Sequence, residues 1–219
     1  MDCNFYRCEL KTFQKIEREF FRKGYRLIAG VDEAGRGPLA GPVVAASVVF
    51  DERIEIDGIN DSKKLTSKER EQLEKEIKQK ALAYSIFVVD VDEINKLNIL
   101  RSSLFAMEQS ILQLEFKPDL ILVDGNYKLN LSIENRPIVK GDSKCFSIAA
   151  ASILAKTYRD RLMIELSEKF PEYKFHKNKG YPTREHIEAI LKFGPCEIHR
   201  KKFLRKIYER KSEQQKIIF

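Results

Sequence analysis

The sequence predicts an α/β fold, a mixed β-sheet flanked by helices with a small helical C-terminal appendage. Three observations carry that reading. Apolar, β-branched runs of strand length come early and then alternate with segments of helical period, the pattern of a sheet covered on its faces. Turn residues punctuate these segments, and no internal repeat or low-complexity linker interrupts them. The 219 residues are 43% hydrophobic and 33% charged, which suits one globular domain with a sizeable core.

Element by element, residues 1–25 read as a helical lead-in, with Phe13, Ile16, Phe20 and Phe21 near helical spacing. Tyr25–Val31 is strand-like, and Val43–Phe50 is a β-branched run expected in a buried strand. Thr66 with Glu69 three residues later forms a capping box, and Leu73, Ile77 and Ala81 continue the helix it opens. Tyr84–Val89 follows as a strand, then a helix with Ile99, Leu100, Leu104, Met107, Ile111 and Leu112 along one face. Leu120–Val123 and Pro137–Val139 are short strand candidates. A long helix is expected over about Ser147–Phe170, its alanine-rich first half allowing close packing on a sheet. Thr183 is the expected N-cap of a further helix ending before Gly194-Pro195. The division expected is a lead-in over 1–25, a catalytic domain over 26–195 and a basic helical segment and tail over 196–219.

Composition also excludes classes. No apolar run approaches the roughly 18–20 residues that span a bilayer. The N-terminus lacks the apolar region of a signal peptide. The four cysteines form no C-x-x-C pair and read as reduced thiols of a cytoplasmic protein. A monomer is expected. The net charge is +7, and the stretch from Arg200 to Phe219 holds eight basic residues against Glu209 and Glu213. Such a segment favours phosphate backbones, although a solvated helix fits the charge alone equally well.

The chemistry lies where strand candidates end. Asp32-Glu33, Asp124-Gly125 and Gly141-Asp142 each follow an apolar run and lie beside glycine. Carboxylates gathered at strand ends repel and are costly to desolvate, a penalty that a divalent cation removes. All-oxygen donors suit Mg²⁺ or Mn²⁺ rather than zinc. Neighbours on a regular strand face opposite ways, so Asp32 and Glu33 can share a site only if the strand ends or bends, for which Ala34-Gly35 offers the means. Gly35-x-Gly37-x-x-Ala40 matches the dinucleotide-binding pattern in letters, but Pro38, Gly41, Pro42 and a β-branched run follow where that motif needs a helix.

Read together, Gly30 to Pro42 (GVDEAGRGPLAGP) resembles the signature of ribonuclease HII. In family order follow Asp61 to Leu65 (DSKKL), Val123-Asp124-Gly125, Lys140 to Ser143 (KGDS), Ile148 to Lys156 (IAAASILAK), Arg159-Asp160-Arg161, Lys179 to Thr183 (KGYPT), Gly194-Pro195 and His199-Arg200. The resemblance implies an RNase H-like fold that hydrolyses the RNA strand of RNA–DNA hybrids and incises 5′ of ribonucleotides embedded in DNA, giving 3′-hydroxyl and 5′-phosphate ends. It implies Asp32, Glu33, Asp124 and Asp142 as catalytic metal ligands for two Mg²⁺ or Mn²⁺ ions, one activating water and the other stabilising the leaving oxygen. It also implies Gly35, Arg36, Gly37 and Tyr181 as readers of the RNA–DNA junction. Lys63 and Lys64 are candidate phosphate contacts, with a solvated turn fitting them nearly as well. Asp160 competes with Asp142 as fourth carboxylate, but a helix-surface ion pair with its flanking arginines explains it. The three histidines are expected to be structural. Type 3 relatives lack the Gly-Arg-Gly loop and carry a larger N-terminal domain than about 25 residues can supply. The reading from another class is a non-catalytic nucleic-acid binder, which gains nothing from acids facing phosphates. At the C-terminus, Gln215 to Phe219 resembles short peptides that dock on sliding clamps.

Overall fold

The computed structural model describes residues 15–54, 56–59, 65–205 and 207–209. Five strands form one mixed sheet in the order β3-β2-β1-β4-β5. They are β1 (Ile28–Ala34), β2 (Val43–Phe50), β3 (Ala83–Val89), β4 (Leu120–Asp124) and β5 (Asn135–Ile138). β2 pairs antiparallel with β1 and β3, whereas β4 runs parallel to β1 and β5 parallel to β4. Every residue of β2 is buried, as its unbroken apolar run requires. β5 starts two residues earlier than expected, and Pro137 lies within it; β5 is an outer strand, where a missing N–H is tolerated.

The helices are α1 (Lys15–Arg22), α2 (Ser67–Lys80), α3 (Val91–Leu97), α4 (Ile99–Leu112), α5 (Phe146–Lys169), α6 (Phe175–Asn178) and α7 (Arg184–Phe193). The Thr66–Glu69 capping box opens α2, and the Thr183 side chain accepts from His186 N at the start of α7. α3 was not expected. Asp90 caps it through Glu93 N, and Asn98 (φ 80°) separates it from α4 while accepting from Leu100 N and Arg101 N.

Two apolar layers enclose the sheet. On one face Ala29, Val31, Val43 and Val123 pack with Ala106, Met107 and Ile111 of α4. On the other, Val44, Ala46 and Val48 meet Ala149, Ala150, Ala151, Ile153 and Ala155 of α5. Small side chains let α5 approach so closely that a Cβ on Gly30 would sit 2.2 Å from the Ser147 carbonyl carbon. α1 docks at the head of α5, where Glu17 accepts from the Ser147 N–H and hydroxyl. A smaller cluster of Leu39, Ala40, Met163, Tyr173, Phe175, Ile190 and Leu204 joins the 35–42 turn to the C-terminal part, whose residues 201–205 are helical. No helix among the described residues is long and apolar enough to cross a membrane.

Candidate active site

β1 and β4 are in parallel register through Val31–Val123, so Asp32 and Asp124 follow side by side where β4 stops. Even-numbered β1 residues face α5: Gly30 meets Ser147, and Asp32 accepts a hydrogen bond from the Ser152 hydroxyl. Glu33 follows with its side chain only 8% exposed, and its N–H donates to Asp32 Oδ1 at 2.7 Å. β1 ends at Ala34 and turns at Gly35, where φ is +102° and a Cβ would lie 2.3 Å from Arg159 Nε.

These acids feel one another. Burial, then the charges of Glu33 and Asp124, push the Asp32 carboxyl well above the usual carboxylate range, against the Ser152 and Glu33 hydrogen bonds. Burial pushes Glu33 up to about 7; the Arg36 guanidinium, 3.3 Å away, opposes it, and Asp124 adds to it. Asp124 Oδ1 accepts from Gly141 N at 2.6 Å. A Cβ on Gly141 would lie 2.5 Å from Ile148 Cδ1 and 3.2 Å from Asp124 Oδ1, so a side chain there would have to displace Ile148. Asp142 follows, buried in the short 3-10 turn Gly141–Ser143. The structure therefore brings Asp32, Glu33 and Asp124 into mutual electrostatic contact, with Asp142 one residue beyond the Asp124 partner. No set of three or more His, Cys, Asp or Glu side chains among the described residues is arranged as a ready ion cage. The donor chemistry nevertheless fits a hard cation: oxygen ligands close enough to repel one another, a cost that a divalent ion offsets.

Beside the carboxylates, the 35–42 turn and the Tyr181 segment are joined. A Cβ on Gly37 would lie 3.6 Å from Tyr181 Cε1, and Leu39 N donates to Gly180 O at 2.8 Å. Tyr181 is exposed. His186 Nδ1 lies 2.8 Å from Tyr181 O, which can only accept, so that nitrogen carries the proton. His186 Nε2 then accepts from His199 Nε2 at 3.1 Å, and His199 Nδ1 accepts from Cys196 N at 3.0 Å. Burial, with the neighbouring His186, holds His199 down at about 4, so the chain of bonds keeps both rings neutral. Both buried histidines are structural, as expected.

Sequence reasoning missed Ser152, Arg159 and Arg200. Arg159 was expected on a helix surface yet is 1% exposed, and Asp160 pairs instead with Arg70 at 3.3 Å and with Lys156. Arg161 pairs with Glu74 at 2.8 Å. Arg200 was read within a basic run and is 0% exposed. Lys63 and Lys64, and Gln215 to Phe219, lie outside the described residues.

A mixed five-stranded sheet flanked by helices, with Asp32, Glu33 and Asp124 on its two adjacent central strands, places the chain in the RNase H-like fold class. The family model described as Ribonuclease HII matches residues 29–210. A ribonuclease HII of Caldicellulosiruptor bescii is 54% identical over 200 residues, covering 91% of this chain and 97% of that protein. Among solved structures, ribonuclease H2 from Pyrococcus horikoshii superposes with TM-score 0.69 at 31% identity, covering 84% of this chain and 98% of that one. The RNase HII in a PCNA complex from Archaeoglobus fulgidus superposes with TM-score 0.66 at 26% identity, covering 80% and 93%. The chain belongs to the ribonuclease HII family, divalent-metal-dependent endonucleases that cleave RNA in RNA–DNA hybrids.

Proposed function

We propose that this enzyme incises duplex DNA on the 5′ side of embedded ribonucleotides as well as RNA–DNA hybrids, leaving 3′-hydroxyl and 5′-phosphate ends. The observation that carries the reading is the side-by-side placement of Asp32 and Asp124 near the C-terminal ends of β1 and β4, with Glu33 next to them. Asp32, Glu33, Asp124 and Asp142 would hold two Mg²⁺ or Mn²⁺ ions, which when bound supply a nucleophilic water and stabilise the leaving oxygen. The protein's own part is to keep these carboxylates in place: Ser152 orients Asp32, and Gly141 N orients Asp124. A purely nucleic-acid-binding role leaves these buried acids unexplained. The test is cleavage of a duplex carrying one ribonucleotide, by the native chain and by Asp124→Asn. We take residues 26–195 as the catalytic domain.

Gly35, Arg36, Gly37 and Tyr181 would read the junction. A 2′-hydroxyl distinguishes RNA from DNA, and a glycine-flanked turn lets backbone groups reach it. The Tyr181 ring, exposed beside Gly37, suits stacking on the following deoxyribose. Tyr181→Ala is expected to lower cleavage at a single embedded ribonucleotide about tenfold or more, the worth of one stacking contact, while its affinity for duplex changes little. Steady-state rates and duplex binding measured on the same preparation check this, and an unaltered single-ribonucleotide rate would remove Tyr181 from the reading.

The Archaeoglobus fulgidus relative was solved with PCNA. For this chain we assign clamp docking to Gln215–Phe219 on its glutamine and apolar pattern. Deleting Gln214–Phe219 is expected to abolish co-elution with the sliding clamp of the same cell, with activity retained. Co-elution undiminished by the deletion refutes the assignment.

A further inference from the structure

Arg159 and Arg200 are buried cations that no carboxylate neutralises at ion-pair distance among the described residues. Such a charge persists in an interior only if its donors are satisfied. Arg200 achieves this with backbone carbonyls alone. Its Nη2 donates to Gly35 O and Gly41 O, both at 2.7 Å, and to Pro42 O at 3.2 Å. Its Nη1 donates to Pro38 O at 2.9 Å and Arg36 O at 3.2 Å, and Nε donates to Gly41 O at 3.0 Å. Arg159 completes the frame through Pro42 O, Ala40 O and Lys179 O, the last of these two residues before Tyr181.

A turn whose carbonyls are gathered inward onto one guanidinium is fixed in peptide-plane orientation, because each captured oxygen sets the rotation of its own peptide unit. Five carbonyls between Gly35 and Pro42 are held in this way. Meanwhile Arg200 N donates to Leu39 O, and Gly41 N donates to Ile198 O, so the C-terminal segment carrying the guanidinium is itself anchored to the turn. We propose that Arg200 is a specificity-determining positioning residue, which orients the Gly35–Gly37 peptide units for the ribose without touching substrate. The proposal rests on the ribose-reading role given to that turn.

Arg200→Lys separates positioning from bulk stability. An ammonium places its donors on one nitrogen and cannot span oxygens from Gly35 to Pro42. The measurement is the affinity for a duplex with one ribonucleotide relative to the matched all-DNA duplex, together with kcat and KM on the former. Native protein is expected to prefer the ribonucleotide duplex. The variant should lose about tenfold or more of that preference, the worth of one well-placed hydrogen bond to a charged or precisely held group. The loss should fall on KM more than on kcat, because Asp32, Glu33 and Asp124 sit on other elements. A ratio of affinities is insensitive to the folded fraction. If Arg200→Lys leaves no folded protein, Arg200→Gln, which has no buried charge to desolvate, carries the same test. A native chain that discriminates and a variant that discriminates equally overturn the Arg200 proposal alone, whatever the change in melting temperature. A native chain that binds both duplexes alike overturns the ribose-reading role and the proposal with it.

Discussion

Asp124→Asn is expected to reduce cleavage of both an RNA–DNA hybrid and a single-ribonucleotide duplex by about a thousandfold or more, since metal-borne charge stabilisation is worth several kcal/mol. The substitution is nearly isosteric, and the amide oxygen can still accept from Gly141 N. What it removes is a negative charge beside Asp32 and Glu33. Stability and activity should therefore move in opposite directions. Without added metal, the variant loses a repulsion that keeps Asp32 and Glu33 raised, and its melting temperature should equal or exceed that of the native chain. The comparison is made in Mg²⁺ and in Mn²⁺, with melting in chelator as the control. Cleavage retained at native rates would exclude Asp124 from the chemistry.

Gly30→Ala has the largest expected effect on stability. The added methyl would lie 2.2 Å from Ser147 C, 2.4 Å from Ile148 N and 2.5 Å from Ser147 O, all of them backbone atoms. No side-chain rotation relieves this contact, so α5 must move off β1. Overpacking of this kind costs about 3 kcal/mol, or roughly 6–12 °C in melting temperature for a chain of this size. Ser152 lies on the same helix and would shift relative to Asp32, so activity should fall as well. Urea unfolding monitored with the native chain provides the measurement. A midpoint within error of native would mean that α5 and β1 are not packed backbone to backbone.

The fold was legible where local chemistry determines it. Val43–Phe50 has the bounds its apolar run suggests, and the Thr66 and Thr183 caps lie where their hydroxyls predict. The register that places Asp32 beside Asp124 is non-local, yet acids at the ends of two apolar runs pointed to it. α3 was overlooked although Asp90 with Glu93 is a capping pattern. Arg159 and Arg200 were illegible for a different reason. Their partners are carbonyl oxygens, which every residue carries, so no pattern of side-chain types marks the burial. A charged residue within a basic run then looks like solvated surface.

Helix α5 imposes a fixed gauge on the molecule. Its Ser152 holds a carboxylate of the sheet, and Arg159, two turns further on and on the same side, holds Ala40 O, Pro42 O and Lys179 O. Seven residues of helical rise set those two anchorages about 10 Å apart. A hydrogen-bonded helix packed along its length cannot be stretched or compressed appreciably, so this interval is as invariant as the pitch of the helix. The span between the acidic end of β1 and the turn beside it is therefore measured off by a rod, and evolution can change it only in whole residues, each of which would rotate one anchorage away from its partner by about 100°.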